Sequence, residues 1–190
     1  MVALNFQTND AAMRINHGRF RVNGCCGYVP IPASLVDGES KPPPPSLFSV
    51  RVLSGSCLPK PRGRVRGECV NPCVRVSLYD ISPLGGKEIV THHTTKIVDG
   101  NGFFPIWNQE KFRFRAENPD VAVLVLAVWD KFVGKSDDFI ASASVPIDCL
   151  REGYRSVKLF GGNGARNGAF ECASLLIEVK KTAREIVPKW

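Results

Sequence analysis

The 190-residue chain lacks any hydrophobic stretch long enough to cross a membrane. Its longest apolar run, Val121 to Val128, has the length of a strand, whereas a membrane-spanning helix needs roughly 20 apolar residues. The N-terminus lacks the basic region and apolar core of a secretory signal. Seven cysteines, an odd number without a repeating spacing, favour reduced thiols. We therefore expect a cytoplasmic protein without a transmembrane segment.

The chain is also poor in histidine and in recognisable catalytic motifs. Only three histidines occur, and two of them, His92 and His93, are adjacent, so on a strand they face opposite sides of the sheet. No phosphate-binding glycine loop, Ser-His-Asp context or metalloprotease motif is present. Cys69 and Cys73 lack a second ligand pair at suitable spacing, which disfavours zinc.

Acidic residues are missing between Glu39 and Glu68, although the whole chain carries a formal charge of +7. A basic segment lies in this interval and contains Lys60, Arg62, Arg64 and Arg66. Such a cluster favours an anionic membrane surface or nucleic acid, and a solvated basic loop is the plainer alternative. No aromatic platform or reading motif accompanies it, so we expect lipid and no nucleic acid.

The chain divides into four stretches. Residues 1–36 begin with the apolar run Val2 to Phe6, which predicts a buried strand, followed by a helix from Ala11 to about Phe20 with Asp10 as N-cap. One strand and one helix cannot bury a core, so this stretch predicts a remnant of a larger αβ fold. Residues 37–45 form a proline-rich linker, 46–181 a second domain and 182–190 a tail.

From Ser46 onward the hydrophobic period is two. Apolar residues alternate with polar ones in the segments 48–52, 74–78, 112–114 and 175–179, and proline- and glycine-rich turn signals separate these segments. About eight strands without a long helical pattern predict a mainly β fold, an eight-stranded antiparallel sandwich. A domain of roughly 135 residues buries enough surface to fold without metals or disulfides.

The N-terminal stretch from Val2 to Pro32 resembles the last strand and helix of the catalytic barrel of eukaryotic phosphoinositide-specific phospholipase C, the end of its second (Y) half. Departures are Ile31, where the family usually has Lys, and the loosely similar segment 33–36. The resemblance implies that the remnant belongs to a TIM-like barrel. The matching residues are Met1 to Thr8, Met13, Asn16, Gly18-Arg19-Phe20, Asn23-Gly24, Cys26-Gly27-Tyr28-Val29 and Pro32.

The second domain resembles a C2 domain of the phospholipase C type. Trp107 lies in a Pro-x-Trp-Asn motif that is common to many C2 domains. The plainer interpretation is that Trp107 is simply a packed core residue. The Leu-Arg-x-Gly-Tyr-Arg segment distinguishes the phospholipase C type from other C2 domains better than the other matching segments do. The matching pieces are Val50 to Gly55 before Leu58-Pro59, Asn71-Pro72, Asn101 to Asn108, Leu124 to Trp129, Asp138-Phe139-Ile140 and Leu150 to Arg155.

The resemblance implies a calcium site in the loops at one end of the sandwich. Calcium needs several converging, mostly negative oxygen ligands. Here Asn71 replaces an expected Asp and Phe132 replaces another, while Asp130, Asp137 and Asp138 remain and Glu68 could approach. We expect this site to be weak or vestigial. The plainer alternative for Asp137 and Asp138 is an ordinary turn before a strand.

These losses favour attachment to membranes by charge. We hypothesise that the basic segment lies at the same end of the sandwich as Lys131, Phe132 and Lys135. Four basic residues at roughly 1 kcal/mol each contribute usefully, but marginally on their own, to binding an anionic leaflet, and Phe132 would insert into the interface. The sequence thus predicts a protein peripheral at membranes, with an anionic phospholipid surface as partner.

The family hydrolyses phosphatidylinositol 4,5-bisphosphate to diacylglycerol and inositol trisphosphate in signalling. The resemblance implies acid–base catalysis by two histidines with a calcium cofactor, and the matching positions for these lie outside this sequence. The chain is therefore expected to be a fragment of such an enzyme, inactive alone, whose partner is the missing N-terminal half of the barrel. Two alternatives remain: a stand-alone C2 lipid-binding adaptor, and a C2 scaffold for protein contacts.

Overall fold

The computed structural model describes residues 4–8, 10–36, 43–61, 69–82, 86–108, 111–131 and 136–182. Two α-helices and eight β-strands occur in these ranges, and 3₁₀ turns lie at Arg21–Asn23, Ile147–Cys149 and Gly168–Phe170. The elements are α1 (Ala11–Phe20), α2 (Ala33–Val36), β1 (Ser46–Ser56), β2 (Pro72–Ile81), β3 (Glu88–Thr94), β4 (Phe112–Ala116), β5 (Val123–Asp130), β6 (Asp138–Pro146), β7 (Gly153–Lys158) and β8 (Ser174–Lys181).

The eight strands form two four-stranded antiparallel sheets, in the orders β4-β1-β8-β7 and β3-β2-β5-β6. The alternation seen in the sequence follows from this packing, because every second side chain points between the sheets. Val50, Val76, Leu126 and Ile177 are among the fully or almost fully buried residues of that shared core. The prediction of a mainly β, eight-stranded antiparallel sandwich is confirmed.

Trp107 lies in the core between the sheets and is 5% exposed. Its indole ring packs closely against Gly55. A Cβ atom added to Gly55 would lie only 3.3 Å from the ring. The Pro-x-Trp-Asn motif therefore serves packing, as the plainer interpretation of Trp107 predicted.

Strand β5 is buried on both faces, which explains why it contains the longest apolar run of the chain. Leu124 and Leu126 point into the core between the sheets, whereas Val123 belongs to the opposite face and is covered by α1. Helix α1 contacts β5 and β6. An antiparallel strand normally alternates apolar and polar residues, and a helix on its outer face removes that alternation.

The N-terminal helix begins as predicted, with Asp10 as its N-cap. The Asp10 Oδ1 atom accepts a hydrogen bond from the backbone N–H of Met13 at 2.9 Å, and this satisfies one of the free donors at the helix start. The side chain of Met13 is 3% exposed, so it is one of the residues through which the helix is buried.

The strand predicted for Val2 to Phe6 is not present in residues 4–6, and residues 2 and 3 lie outside the described ranges. Leu4 and Asn5 have no regular structure, and Phe6 begins a turn. A strand needs ladder hydrogen bonds to a neighbour, and the eight described strands pair only within the two sheets of the sandwich. No helix in the described ranges has both the length and the apolar character that crossing a membrane requires.

Candidate functional site

Several loops meet at one end of the sandwich, which we call the loop end. It is the end where β1 finishes at Ser56 and β5 at Asp130, and where β2 and β6 begin. The antiparallel register places Pro72 opposite Asp130 and Asp130 opposite Asp138. The described loop-end residues are 57–61, 69–71, 95–104, 131 and 136–137.

Asn71 joins three of these loops through its backbone and both ends of its side-chain amide. Its backbone N–H donates to Asp130 Oδ1 at 2.8 Å and its Nδ2 donates to the Lys131 carbonyl at 3.3 Å. Its Oδ1 accepts from the Gly100 N–H at 2.8 Å. The Lys131 N–H donates back to the Asn71 carbonyl at 3.0 Å. An aspartate in this position could not make the donation to Lys131.

Two carboxylates of the loop end, Asp130 and Asp137, are engaged within the protein, whereas Asp99 is exposed. Asp130 is fully buried and accepts the Asn71 N–H. The Lys131 ammonium forms an ion pair with Asp137, and both side chains are a little over a quarter exposed. Asp138 begins β6 directly opposite Asp130. The structure therefore places Asp138 opposite Asp130 and pairs Asp137 with the Lys131 cation.

This arrangement does not suit a calcium ion. Calcium requires about six to eight converging oxygen ligands with a high negative charge, whereas here the Lys131 ammonium already neutralises Asp137 and Asn71 directs an N–H donor toward Lys131. Among the described residues there is no group of three or more His, Cys, Asp or Glu side chains placed to hold a metal. Glu68 lies outside the described ranges.

The two cysteines of the zinc alternative are in different environments. Cys69 is exposed and Cys73 is buried, and both are free thiols. Burial raises the pKa of the Cys73 thiol, which keeps it protonated and a poor metal ligand.

The predicted lipid-binding residues are only partly visible. Lys60 is exposed two residues after buried Leu58. Lys131 is at the loop end, with its charge paired to Asp137. The remaining predicted lipid contacts, Arg62, Arg64, Arg66, Phe132 and Lys135, lie outside the described residues.

An exposed aromatic pair at the loop end was not singled out from the sequence as a functional feature. Phe103 is 76% exposed and Phe104 is 50% exposed. They follow Asn101, whose amide donates from Nδ2 to the Phe104 carbonyl and accepts the Phe104 N–H at Oδ1, both at 2.9 Å. The signal available in the sequence was two adjacent aromatic residues inside a turn rich in glycine and asparagine.

Helix α1 packs on the sandwich through contacts specific to its residues. Gly18 lies against β6, where an ideal Cβ on it would be 2.7 Å from Ser144 Cβ. The guanidinium of Arg21 lies 3.5 Å from the ring centroid of Phe160, and Arg19 Nη1 donates to the Asp120 carbonyl at 2.8 Å. The N-terminal stretch and the sandwich are therefore joined by a close interface.

The helix α1 also borders an open apolar groove of about 510 Å³, whose lining includes Val121 of the sandwich. The groove runs between α1 and the segment 29–35, and Phe20 and Ile31 are among its walls. Ile31 is 68% exposed.

Comparison with known families agrees with the two parts of the structure. Residues 46–160 match the C2 domain family. Residues 1–34 match the Y domain of phosphatidylinositol-specific phospholipase C.

Curated relatives match across nearly the whole chain. The chain is 35% identical over 171 residues to 1-phosphatidylinositol 4,5-bisphosphate phosphodiesterase delta-3 of Mus musculus, covering 87% of this chain and 21% of the relative. It is 34% identical over 189 residues to the delta-1 protein of Homo sapiens, covering 94% and 24%. The chain thus spans about a fifth to a quarter of the length of these relatives.

Solved structures share the fold. The crystal structure of S. officinalis PLC21 superposes with a TM-score of 0.75 at 24% identity, over 95% of this chain and 22% of that one. A C2 domain of plant extended synaptotagmin 1 superposes with a TM-score of 0.54 at 16% identity, over 73% of this chain and 95% of that domain. The chain therefore belongs to the C2 domain family, and its C2 domain follows Y-domain sequence of a phosphatidylinositol-specific phospholipase C.

Proposed function

We propose that this chain attaches a phosphoinositide phospholipase C to anionic membrane surfaces through the loop end of its C2 domain, without calcium at that end. The functional units are residues 1–36 of the barrel, the linker 37–45, the C2 domain 46–181 and the tail 182–190. We also propose that the protein is cytoplasmic and binds membranes peripherally.

The observation that carries this proposal is the balance of charge at the loop end. Exposed Lys60 opens a segment with four basic residues and no acidic one, while at this end Asp130 is buried, Asp137 is paired with Lys131 and Asp99 is exposed. An anionic leaflet attracts basic residues with roughly 1 kcal/mol each. Net attraction then needs no metal to cancel the carboxylates.

Calcium is generally associated with C2 domains and with phospholipases C. In this chain Lys131 would take over its electrostatic role, because a tethered ammonium beside Asp137 supplies positive charge at every calcium concentration. We propose that the residual site of Asp130, Asp137 and Asp138 binds calcium weakly or not at all.

We further propose that the longer protein hydrolyses phosphatidylinositol 4,5-bisphosphate, the activity in the names of its relatives. The residues of this chain would not contact the scissile phosphate. Calcium would act in the catalytic barrel, whose N-terminal half is the proposed partner of residues 1–36.

A catalytically silent role is the second candidate. The chain is 36% identical over 200 residues to inactive phospholipase C-like protein 2 of Mus musculus, so a C2 adaptor for lipid or protein without hydrolysis is also consistent with the family. Sequencing the transcript upstream of Met1 distinguishes the two. A continuous frame encoding the barrel histidines supports the enzyme, and a frame without them supports the adaptor.

Sedimentation with vesicles tests membrane attachment. We expect the chain to bind phosphatidylcholine vesicles containing phosphatidylserine, and to bind pure phosphatidylcholine weakly, with equal results in EGTA and in calcium. Replacing Lys60, Arg62, Arg64 and Arg66 by Gln should weaken binding at least about tenfold. Equal binding to both vesicle types, or loss of binding in EGTA, would contradict the proposal.

The control variant removes the same charge elsewhere. Arg113, Arg151, Lys180 and Lys181 are exposed and lie away from the loop end. Their replacement by Gln should weaken vesicle binding much less than the loop-end variant. An equal loss would show that total charge, rather than the loop end, controls binding.

A further inference from the structure

We propose that the turn 101–104 is an apolar membrane anchor, in which Phe103 and Phe104 enter the boundary between headgroups and acyl chains of an anionic bilayer. This inference rests on the proposed membrane attachment and adds a second, uncharged component to it. The contact residues are distinct from the basic segment and from Phe132.

The exposure of this segment follows the pleat of a strand. Pro105 and Trp107 point inward and are buried, whereas Phe104 and Ile106 point outward and are 50% and 61% exposed. Phe103, at the tip, is 76% exposed. Adjacent large apolar side chains held in water mark an interaction surface.

The turn is held rigidly in the exposed position. The Asn101 amide forms two hydrogen bonds with the backbone of Phe104, each at 2.9 Å. The Cys57 and Leu58 N–H groups donate to the carbonyls of Phe103 and Gly102 at 2.8 and 3.0 Å. A preformed turn loses little conformational entropy on binding, so the exposed aromatic area is available for insertion.

The position of the turn indicates a lipid partner. Gly102 is hydrogen-bonded to Leu58, two residues before exposed Lys60 and the basic segment. Gly100 is bonded to Asn71 at the loop end. Aromatic residues beside basic ones match an anionic interface, where rings enter the headgroup boundary and cations contact phosphates.

The anchor lies away from the N-terminal stretch that matches the Y domain. The segment 102–107 pairs with β1, in line with β4 at one edge of its sheet, whereas α1 packs on β5 and β6 of the other sheet. Phe103 and Phe104 are therefore outside the described contacts between helix and sandwich. Exposed Asp99 precedes the turn, so the anchor itself contributes apolar area rather than net positive charge.

The test uses the double variant Phe103→Ala/Phe104→Ala of the full chain with phosphatidylcholine–phosphatidylserine vesicles. We expect its partition coefficient to fall about tenfold or more, since two partly exposed phenyl rings no longer leave water. The maximum insertion pressure into a monolayer of the same lipids should fall as well. Circular dichroism and thermal unfolding should be unchanged, because both side chains are exposed.

Tyr154→Ala is the matched control. Tyr154 is 64% exposed on β7, opposite Glu178 of β8, which pairs with Arg51 in the middle of β1 and therefore away from the loop end. This variant should partition and insert like the unmodified chain. If it loses as much binding as the double variant, aromatic content in general accounts for the effect and the anchor is overturned.

The remaining outcomes separate the anchor from the proposed function. If the unmodified chain does not bind anionic vesicles, membrane attachment itself fails. If the unmodified chain binds and the double variant binds equally, attachment stands, the anchor is wrong and the aromatic pair serves a protein contact or none. If only the basic-segment variant loses binding, charge alone accounts for attachment.

Discussion

At the scale of single residues, one amide side chain organises the loop end. Asn71 connects with Asp130, Lys131 and Gly100 through hydrogen bonds of 2.8 to 3.3 Å. A carboxylate here would add negative charge beside buried Asp130, at the cost that like charges carry in a partly buried site. The neutral amide avoids this cost, and the Lys131–Asp137 ion pair places a cation of the protein itself at this end.

His17 is a second residue whose environment has a measurable consequence. Its ring lies against Gly164, where an ideal Cβ would be 2.6 Å from the ring carbon Cε1. Burial, and secondly the charge of Arg21, lower the pKa of His17 from its ordinary value of 6.5. The folded protein therefore favours the neutral imidazole.

This lowered pKa predicts that acidification weakens the fold near α1. As pH falls through about 6.5, His17 of the unfolded chain binds a proton before His17 of the folded chain does, so the free energy of unfolding decreases with falling pH. The loss is complete below the lower, folded pKa. Urea unfolding between pH 7.5 and pH 5 should show a steeper decline for the unmodified chain than for His17→Gln. Parallel pH profiles would contradict this.

At the scale of elements, the strands could be predicted and their partners could not. Alternation at 48–52 and 74–78 predicted strands β1 and β2, and Asp10 marked the start of α1, because these signals depend on local geometry. The docking of α1 on β5 and β6 depends on long-range contacts that no short pattern records. For the same reason a strand was expected wrongly at residues 4–6, where no strand partner is available in the described sheets.

The candidate site shows the same division. The register of β5 and β6 places Asp130 opposite Asp138, but Asp130, Asp137 and Asp138 do not form a group placed to hold a metal among the described residues. The Lys131–Asp137 pair depends on side-chain directions, which the sequence does not give. The sequence placed Phe103 only within a stretch that resembles the family, and the exposure of Phe103 and Phe104 became visible in the structure.

Gly18→Ala tests the contact between α1 and β6. An added Cβ would lie 2.7 Å from Ser144 Cβ and 3.2 Å from Val123 Cγ1, and Ser144 Cβ cannot rotate away because it is attached to the backbone. Overpacking costs about 1–3 kcal/mol and the helix propensity of Ala returns about 1 kcal/mol. We expect a net loss of about 1 kcal/mol, measured as faster hydrogen exchange of α1 amides.

Ser144→Gly supplies the control for this contact. The double variant Gly18→Ala/Ser144→Gly removes the close Cβ pair, so its loss should be smaller than the sum of the two single losses. A stabilised Gly18→Ala variant would mean that helix propensity outweighs packing and that α1 moves freely on the sheet.

At the scale of the whole molecule, the two parts of the chain expose different surfaces. The N-terminal part borders an apolar groove beside Ile31, whereas the loop end of the sandwich carries aromatic and basic residues. A formal charge of +7 gives the molecule a positive field that steers it toward anionic surfaces. In the proposed attachment, charge would govern the approach to a membrane, and apolar contact would govern how long the protein stays.

Salt separates these two contributions. Raising NaCl from about 0.1 to about 1 M shortens the Debye length from roughly 10 to roughly 3 Å, so the attraction of the basic segment to an anionic leaflet should be largely screened while aromatic insertion persists. We expect vesicle binding of the unmodified chain to weaken at least about tenfold but remain measurable, and binding of Phe103→Ala/Phe104→Ala to disappear. Salt-independent binding of the unmodified chain would contradict a role for charge, and equal residual binding of both proteins would contradict a role for the aromatic pair.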